Sequence, residues 1–256
     1  MANTLTIKGI TIGAGIPKIC VSMVGTHLER LKAEAAELRL LGPDLVEWRV
    51  DLYEHVEDLD LVHEALTTIR SLLPDLPLVF TFRSAREGGA KEVSSAYYVE
   101  LNQAIARTGL ADLIDVELFN DEQDVRQLVH TAHEHQVHVI MSNHDFHKTP
   151  AKDELVGRLR KMQELGADLP KIAVMPTSTA DVITLLDATT TMKEQYADRP
   201  IITMSMAASG VISRLSGELF GSAVTFGAAA QASAPGQVAI AELRTMLEMF
   251  HQQLMK

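Results

Sequence analysis

The segment DLPKIAVMP places Lys171 at the head of an otherwise apolar run from Ile172 to Met175. A lysine at the wet end of a strand reaches into solvent. A lysine in a dry pocket loses its proton easily and becomes a nucleophile. The segment IPKICVSMV repeats the same Pro-Lys-Ile opening at Lys18. The pattern alone therefore leaves both interpretations open for both lysines.

Histidines are the second group of chemical interest, and six lie close together in the sequence: His130, His133, His135, His138, His144 and His147. The first three fall in the last turns of a predicted helix, where the negative end of the helix dipole favours an imidazolium. Their spacing lacks the two-histidine, one-glutamate pattern of a zinc-binding helix, so we expect no metal site. His144 ends a predicted strand and is the candidate for acid–base chemistry.

Four successive predicted strands carry polar residues on one face and apolar residues on the other, because side chains alternate along a strand. The polar set is Glu47, Arg49, Asp51, Thr81, Arg83, Asp115, Glu117, Ser142 and His144. Ionised groups are costly to desolvate, so their convergence near the strand ends indicates a functional site. An internal ion-pair network that only fills space is the alternative.

The elements that position these groups follow a regular alternation. Apolar strand-like runs occur at 18–24, 45–50, 78–83, 112–118, 137–143, 171–175, 200–206 and 223–227, with helical periodicity between them. Eight such units in about 230 residues predict a single (β/α)8 TIM barrel domain over 1–256. Its C-terminal mouth would hold the site, and a hairpin formed by 4–7 and 10–12 would close its bottom. A doubly wound open sheet is the alternative topology.

Composition narrows the function classes. The 256 residues are 46% hydrophobic and carry a formal net charge of −11. Without a basic stripe, we expect no nucleic-acid or anionic-membrane partner. Cys20 is the single cysteine, so no disulfide framework can form within the chain. The chain has no run of 18 apolar residues and no signal-like start, which favours a cytoplasmic protein.

Two loops near the predicted mouth carry further polar groups. Arg214 follows the seventh barrel strand, and the segment QASAPGQV follows the eighth. In this segment Ser233 and Gln237 are expected to bring hydrogen-bond donors over a bound ligand, as a mobile loop would. An ordinary turn into the last helix is the alternative.

Met204 and Met206 share a strand face and are expected to pack inside the barrel.

Six blocks together resemble one known family: VEWRVD, FTFRSAREGG, IMSNHDF, PKIAVMP, ISRLSGELFGSAVTFG and SAPGQ. In this order they are similar to the type I 3-dehydroquinate dehydratases, over about residues 18 to 240. The resemblance implies a (β/α)8 barrel, usually a homodimer, that needs no metal or organic cofactor. It also implies an enzyme of aromatic amino-acid biosynthesis that removes water from 3-dehydroquinate, an anionic small molecule, to give 3-dehydroshikimate.

The resemblance also implies roles for individual residues. Lys171 corresponds to the family's Schiff-base lysine, His144 to its general acid/base, and Glu87 to the glutamate that assists this histidine. Lys18 matches no catalytic position. Substrate contacts are implied for Ser22, Glu47, Arg49, Arg83, Arg214, Ser233 and Gln237, with Arg214 expected to hold the substrate carboxylate.

Two other functions remain open from the residues themselves. A class I aldolase would also place a Schiff-base lysine on the sixth strand of the same barrel but would cleave a carbon–carbon bond. A non-catalytic barrel would bind an anionic metabolite without forming any covalent adduct.

Overall fold

The computed structural model describes residues 4–229 and 234–256. The chain begins with a two-stranded antiparallel hairpin, β1 (Leu5–Ile7) and β2 (Ile10–Ile12). Lys8 and Gly9 form its turn with φ values of 47° and 81°. Positive φ at both central residues defines the turn type whose twist matches that of the flanking strands. The predicted hairpin is confirmed.

A single parallel sheet forms the centre of the fold. Its eight strands follow the order β10-β3-β4-β5-β6-β7-β8-β9. The edges meet where Ile201 bridges Ser222 and where the backbone N–H of Ala223 donates to Ile201 O at 2.8 Å. The sheet therefore closes into the predicted barrel, and the open-sheet alternative is wrong. The strands are β3 (Lys18–Met23), β4 (Leu45–Arg49), β5 (Leu78–Thr81), β6 (Leu113–Glu117), β7 (His138–Asp145), β8 (Leu169–Val174), β9 (Ile202–Ser205) and β10 (Val224–Gly227).

Helices alternate with these strands and surround the barrel. They are α1 (Leu28–Leu41), α2 (Leu59–Leu72), α3 (Ser95–Thr108), α4 (Glu122–Glu134), α5 (Lys152–Glu164), α6 (Thr179–Gln195), α7 (Val211–Leu215), α8 (Gly217–Phe220) and α9 (Ile240–Leu254). The expected single helix after the seventh barrel strand is instead split into α7 and α8. At this break a Cβ on Gly217 would lie only 2.5 Å from Ser222 O, so the chain returns to the barrel in close backbone contact. In the described ranges, no helix is long and apolar enough to cross a membrane.

The apolar residues form two layers. The outward faces of the strands, with residues such as Val46, Trp48 and Phe80, pack against the helices in one cluster. A second cluster fills the lower barrel and joins Ile7 and Ile12 of the hairpin to interior strand residues. These are Cys20, Leu45, Val79, Leu113, Ile140, Leu169, Ile202 and Val224. The hairpin thus closes the N-terminal end with apolar contacts, and the polar interior positions lie toward the C-terminal mouth.

Candidate active site

Lys171 lies inside the barrel. β8 begins at Leu169, two residues earlier than the sequence pattern predicts, so Lys171 is the third residue of the strand and not its head. Its side chain is only 4% exposed. By contrast Lys18 is the first residue of β3 and is partly exposed at the opposite end. The same Pro-Lys-Ile segment therefore gives a buried lysine in one strand and a partly exposed one in the other.

The Lys171 amine is surrounded by two carboxylates and an aromatic ring. Nζ lies 3.6 Å from Asp115 Oδ2 and 3.8 Å from Glu47 Oε1. It also lies 4.4 Å from the centroid of the Phe226 ring, within the range of a cation–π contact. The solvent-exposed interpretation of Lys171 is wrong, because the amine points into a lined cavity.

A cavity of about 170 Å³ opens at this end of the barrel. Seven of the predicted site residues line it: Glu47, Arg49, Arg83, Glu87, His144, Lys171 and Gln237. Ser22 lies behind the wall and donates to Glu47 Oε2 at 2.5 Å. Arg214 contacts the lining residues Met204, Phe226 and Pro235, and Ser233 lies outside the described residues. Residues that are far apart in the sequence thus meet around one cavity.

His144 and Glu87 form a hydrogen-bonded pair at the cavity wall. Ser142 pairs with Lys171 across β7 and β8, and His144 follows two residues later on the same face, about 6.6 Å nearer the mouth. Glu87 ends a 3-10 turn at Ala85–Glu87, and its Oε2 lies 2.9 Å from His144 Nδ1. The same oxygen accepts the backbone N–H of His144 at 2.9 Å. The imidazole orientation is therefore fixed from two sides.

The environment of this pair shifts both proton affinities. Burial raises the pKa of Glu87 to about 7. Burial, together with the positive charges of Arg83, Lys171 and Arg49, lowers the pKa of His144 well below its usual value. His144 is therefore neutral, and Nδ1 faces the carboxylate while Nε2 is the nitrogen left to act as a base.

Arg83 holds the carboxylates of the interior in place. Its guanidinium contacts Asp115 Oδ1 at 2.8 Å and Glu117 Oε1 at 2.9 Å, and it donates to Ser142 Oγ at 2.9 Å. Burial works to lower the pKa of Arg83, but attraction to Asp115, Glu117 and Glu87 outweighs it and raises the pKa. The guanidinium is thus a permanent positive charge on the cavity wall.

Glu47 is held as an anion beside Lys171. Its Oε1 accepts from Thr81 Oγ1 at 3.0 Å and its Oε2 from Ser22 Oγ. Burial works to raise the pKa of Glu47, yet Lys171, Arg49 and the Ser22 hydrogen bond lower it below its usual value. Arg49 in turn makes a two-pronged pair with Asp51, with Nε to Oδ1 at 2.8 Å and Nη2 to Oδ2 at 2.9 Å.

Arg214 differs from Arg49 and Arg83 because no carboxylate among the described residues pairs with it. It is 1% exposed, and its Nη2 donates to Pro235 O at 3.0 Å. Nη1 lies 3.5 Å from Phe226 O, and Nε has no hydrogen-bond partner in the described part of the chain. Burial lowers the pKa of Arg214 to about 10, so the group stays charged at neutral pH. A buried cation of this kind is a site for an anion.

Residues 234–237, which follow β10 in the chain, lie at the cavity. Ala234, Pro235 and Gln237 line the cavity. A Cβ on Gly236 would lie 2.2 Å from Ala207 O, so only glycine permits this contact. Ala207 itself has a φ of 57°, which is a strained value for an alanine. The segment is therefore seated on the residues that follow β9.

Several residues on the cavity lining or next to the Lys171 amine have no assigned role in the sequence analysis. The strand pattern includes Asp115 in the polar set without giving it a role, although its carboxylate lies 3.6 Å from the Lys171 amine. Met204 and Met206, which the strand pattern assigns to packing inside the barrel, also line the cavity. Phe226 lies on an apolar strand, where no sequence signal distinguishes a cavity residue from a core residue.

The remaining histidines lie elsewhere. His133 Nε2 lies 2.9 Å from Asp168 Oδ2, and His138 Nδ1 lies 3.6 Å from Asp168 Oδ1. His130 pairs with Glu134 on the surface of α4. Across residues 4–229 and 234–256, no three His, Cys, Asp or Glu side chains converge as a metal-binding group.

Comparison with known proteins decides the family. The type I 3-dehydroquinase family model matches residues 19–254. The chain belongs to the type I 3-dehydroquinase family. The chain is similar to a 3-dehydroquinate dehydratase of Bacillus licheniformis, which is 63% identical over 99% of this chain and 100% of its own length. A Listeria welshimeri 3-dehydroquinate dehydratase is 61% identical over 98% of this chain and 99% of its own length.

Solved structures of the type I 3-dehydroquinases agree. A Clostridium difficile type I 3-dehydroquinate dehydratase, solved with covalently modified comenic acid, is 55% identical with a TM-score of 0.97. The match covers 99% of this chain and 100% of that one.

A 3-keto-L-gulonate-6-phosphate decarboxylase of Vibrio cholerae is only 15% identical with a TM-score of 0.62, and the match covers 92% of this chain and 99% of that one. That likeness shows the barrel fold alone. The predicted enzyme class is confirmed at the level of the family.

Proposed function

We propose that this chain dehydrates 3-dehydroquinate to 3-dehydroshikimate, with Lys171 forming a Schiff base and His144 acting as general acid and base. One observation carries the proposal. The buried Lys171 amine and the His144 imidazole line the same cavity, in a chain of the type I 3-dehydroquinase family. The modified ligand in the Clostridium difficile relative supports covalent chemistry in this family.

The covalent step balances as an imine condensation. The neutral Lys171 amine adds to the ketone carbon. The carbonyl oxygen takes one proton from the amine and a second proton, the one that the Lys171 ammonium had released, and leaves as water, which gives a positively charged iminium. Before this attack the amine must give up a proton, and Asp115 and Glu47 lie 3.6 and 3.8 Å from Nζ to receive it or to stabilise the ammonium. A positively charged iminium accepts electrons from the adjacent C–H bond better than a neutral ketone does.

His144 then moves the proton that elimination requires. Its unprotonated Nε2 takes the proton from the carbon next to the iminium. The electrons of that bond form the new double bond and expel the β-hydroxyl, which leaves as water with the proton returned by His144. Hydrolysis of the imine then releases the enone product and restores Lys171. Glu87 holds the imidazole in the orientation and tautomer that this cycle needs.

The arginines and Glu47 account for substrate binding. Arg214 lacks a carboxylate partner among the described residues, so the substrate carboxylate supplies one by a charge-assisted contact. Gln237 lines the cavity close to the same wall, and Ser233 is assigned with it on the resemblance alone. Glu47 and Arg49 lie on the lining, where they bind ring hydroxyls, and Arg83 adds a fixed positive charge to the same lining.

We also propose a cytoplasmic homodimer. Cys20 is a buried free thiol, which suits a reducing compartment. Leu219 on α8 is 54% exposed, and Ile183 on the neighbouring helix α6 is 62% exposed. A second copy that covers the exposed apolar side chain of Leu219 would remove it from water. Analytical ultracentrifugation of the protein and of Leu219→Glu tests the assignment, since a dimer through this surface dissociates in the variant.

Incubation with 3-dehydroquinate tests the function directly. The product is a conjugated enone, so its formation raises the ultraviolet absorbance. We expect a steady absorbance increase that a metal chelator leaves unchanged. An aldolase would give carbon–carbon cleavage products, and a non-catalytic binding protein would give saturable binding without absorbance change. Either result would overturn the proposal.

A further inference from the structure

A hydrogen-bond chain leads from the outer helix layer to the His144–Glu87 pair. Asn143 precedes His144 on β7, so its side chain points to the opposite face, toward the helices. It is buried at 3% exposure. Its Nδ2 donates to Glu87 Oε1 at 3.2 Å, and its Oδ1 accepts from Arg158 Nη1 at 2.6 Å. An amide at this position is unexpected, because the strand faces that meet the helices are otherwise largely apolar.

Arg158 fixes the orientation of this amide. A guanidinium can only donate hydrogen bonds, so the Asn143 oxygen must face Arg158 and the Asn143 NH2 must face Glu87. Arg158 is itself held by Glu154 on the same helix and by the Phe119 ring, which lies 5.2 Å from its Cζ. Its side chain is only 14% exposed. If the amide flipped, its NH2 group would face the Arg158 guanidinium, and two hydrogen-bond donors would meet without an acceptor.

The donated hydrogen bond acts on the protonation of Glu87. Oε1 receives the Asn143 NH2, and Oε2 receives the His144 backbone N–H. Both hydrogen bonds favour the ionised carboxylate and oppose the burial that raises its pKa. An ionised Glu87 accepts a proton-bearing Nδ1, which leaves Nε2 unprotonated toward the cavity. A protonated Glu87 would donate to Nδ1 and move the imidazole proton to Nε2, the wrong nitrogen for a base.

We propose that Asn143 and Arg158 are positioning residues that set the tautomer of His144 through Glu87. This inference rests on the proposed function, because it assigns His144 Nε2 the role of base. Other charges face the same pair from its surroundings. Arg83 lies 3.5 Å from Glu87 and favours its ionised form, while the Glu117 carboxylate opposes it. Arg49, Arg83 and Lys171 all disfavour an imidazolium at His144.

The test replaces Asn143 by its isostere. Asn143→Asp keeps the shape and the Arg158 contact but puts an acceptor where Glu87 needs a donor. The proton affinity of the pair rises, so we expect the acid limb of the pH profile of kcat/KM to move up by about one pH unit. At pH 7, we expect kcat to fall about 10-fold. Removing the residue that hydrogen-bonds a metal-binding histidine lowers activity by about 10- to 100-fold, and this value lies at the lower end of that range. KM stays within about twofold because Asn143 does not line the cavity.

Variants of α5 provide a second route if Asn143→Asp folds poorly. Arg158→Met should shift the profile in the same direction, and Arg158→Lys, which restores a donor, should return it toward the wild type. Lys161→Met is the matched control, since Lys161 lies on the same helix but pairs with Glu122 at 2.9 Å. A profile for Arg158→Met and Asn143→Asp that coincides with that of Lys161→Met would overturn the inference.

Long-range ¹H–¹⁵N NMR of the imidazoles gives a readout that needs no turnover. The His144 signals are identified by their loss in His144→Gln. At pH 8, above the pKa of Glu87, we expect the Nδ1–H tautomer in the ligand-free wild type and a gain of the Nε2–H tautomer in Asn143→Asp. An Nε2–H tautomer in the wild type at this pH contradicts the inference, whatever the substrate. Absence of enone formation by the wild type would instead contradict the proposed function and leave this tautomer result standing.

Discussion

The two ends of the barrel use carboxylates in opposite ways. At the N-terminal end Asp44, Asp112 and Asp168 accept the backbone N–H groups of Ile19, Leu78 and Val139 at 2.7, 2.8 and 2.7 Å. The backbone N–H of each aspartate donates back to the carbonyl oxygen of the same residue. These carboxylates clamp neighbouring strands. They serve the fold because their hydrogen bonds are made within it.

At the C-terminal end, some buried polar atoms lack hydrogen-bond partners among the described residues. Asp115 Oδ2 has no hydrogen-bond partner in the described ranges, although Lys171 Nζ lies 3.6 Å away. Arg214 Nε is likewise unpartnered there. A buried polar group without a partner costs about 1–3 kcal/mol. The mouth therefore leaves polar groups available to a ligand, whereas the bottom uses its polar groups to join strands.

The two Pro-Lys-Ile lysines give the largest predicted contrast. Lys171→Ala should lower turnover of 3-dehydroquinate by at least about 10⁴-fold, in the range seen when a covalent nucleophile is removed. Lys18→Ala, at the other end of the barrel, should leave the rate unchanged. Absorbance assays at saturating substrate compare the two variants. Comparable losses of turnover in Lys171→Ala and Lys18→Ala would contradict the placement of the chemistry at the C-terminal end of the barrel.

His144→Gln should slow turnover by about 10³-fold, because general acid–base catalysis is lost while the amine remains. Adduct formation with Lys171 should persist at a reduced rate. Single-turnover kinetics separate the two steps. His133→Gln is the control at the lower end, where the histidine pairs with Asp168. A normal rate in His144→Gln would exclude this histidine as the base.

Arg214→Met tests whether the unpartnered guanidinium receives the substrate carboxylate. We expect kcat/KM to fall about 100-fold, since a hydrogen bond between charged groups contributes about 1.5–3 kcal/mol. Arg199→Met removes an equal charge that is already paired with Asp198, and it should have little effect. Inhibition by substrate analogues with and without the carboxylate provides the measurement. Equal discrimination between the analogues by the wild type and Arg214→Met would argue against the assignment.

The pH profile tests the pair at the mouth. Burial raises the pKa of Glu87 to about 7, so lowering the pH through this value protonates the pair and removes the base form. Below that point kcat/KM should fall about 10-fold for each pH unit. In Glu87→Gln the acid limb should lose this inflection. An inflection that persists in Glu87→Gln would assign it to another group.

The smallest effect is expected at the bottom of the barrel, on stability alone. Asp168→Asn should cost about 1 kcal/mol of unfolding free energy without changing turnover, since one backbone hydrogen bond is weakened. The hydrogen bond to Asp168 raises the pKa of His133 in the folded protein. The charged imidazolium therefore stabilises the fold fully at pH values below the pKa that His133 has in the unfolded chain. This stabilisation disappears as the pH rises through the pKa that His133 has in the folded protein. Asp168→Asn should therefore lose more stability at pH 5 than at pH 8.

Asp44→Asn is the matched control for this pH dependence. Asp44 makes the same kind of backbone contact, but among the described residues no histidine forms a hydrogen bond or ion pair with it. Urea unfolding at both pH values compares the two variants. An identical pH dependence in both would show that the imidazole does not contribute.

The alternation of strands and helices made the barrel predictable, and the period-2 pattern correctly placed polar groups such as Glu47, Arg83 and Asp115 inside. The start of β8 was not predictable, because Leu169 and Pro170 precede the lysine and proline lacks a backbone N–H for the ladder. The split into α7 and α8 depends on a close backbone contact at Gly217, which periodicity does not report.

One signal of the barrel bottom is present in the sequence, although the strand and helix pattern does not reveal its role. The dipeptide Asp-Leu recurs at Asp44, Asp112 and Asp168, at the start of every second barrel strand from β4 to β8. Each leucine enters the lower core while the aspartate clamps the neighbouring strand. The Asn143–Arg158 contact could not be predicted, because it joins a strand and a helix at positions without periodic meaning.

Reduction with borohydride in the presence of 3-dehydroquinate tests the central claim most directly. Hydride converts an imine into a stable secondary amine, so the bound carbon skeleton remains on the protein and peptide mass spectrometry locates it. We expect one adduct on the peptide that contains Lys171 and none on the peptide that contains Lys18. Enone formation without any trapped adduct, or an adduct on another lysine, would contradict the account.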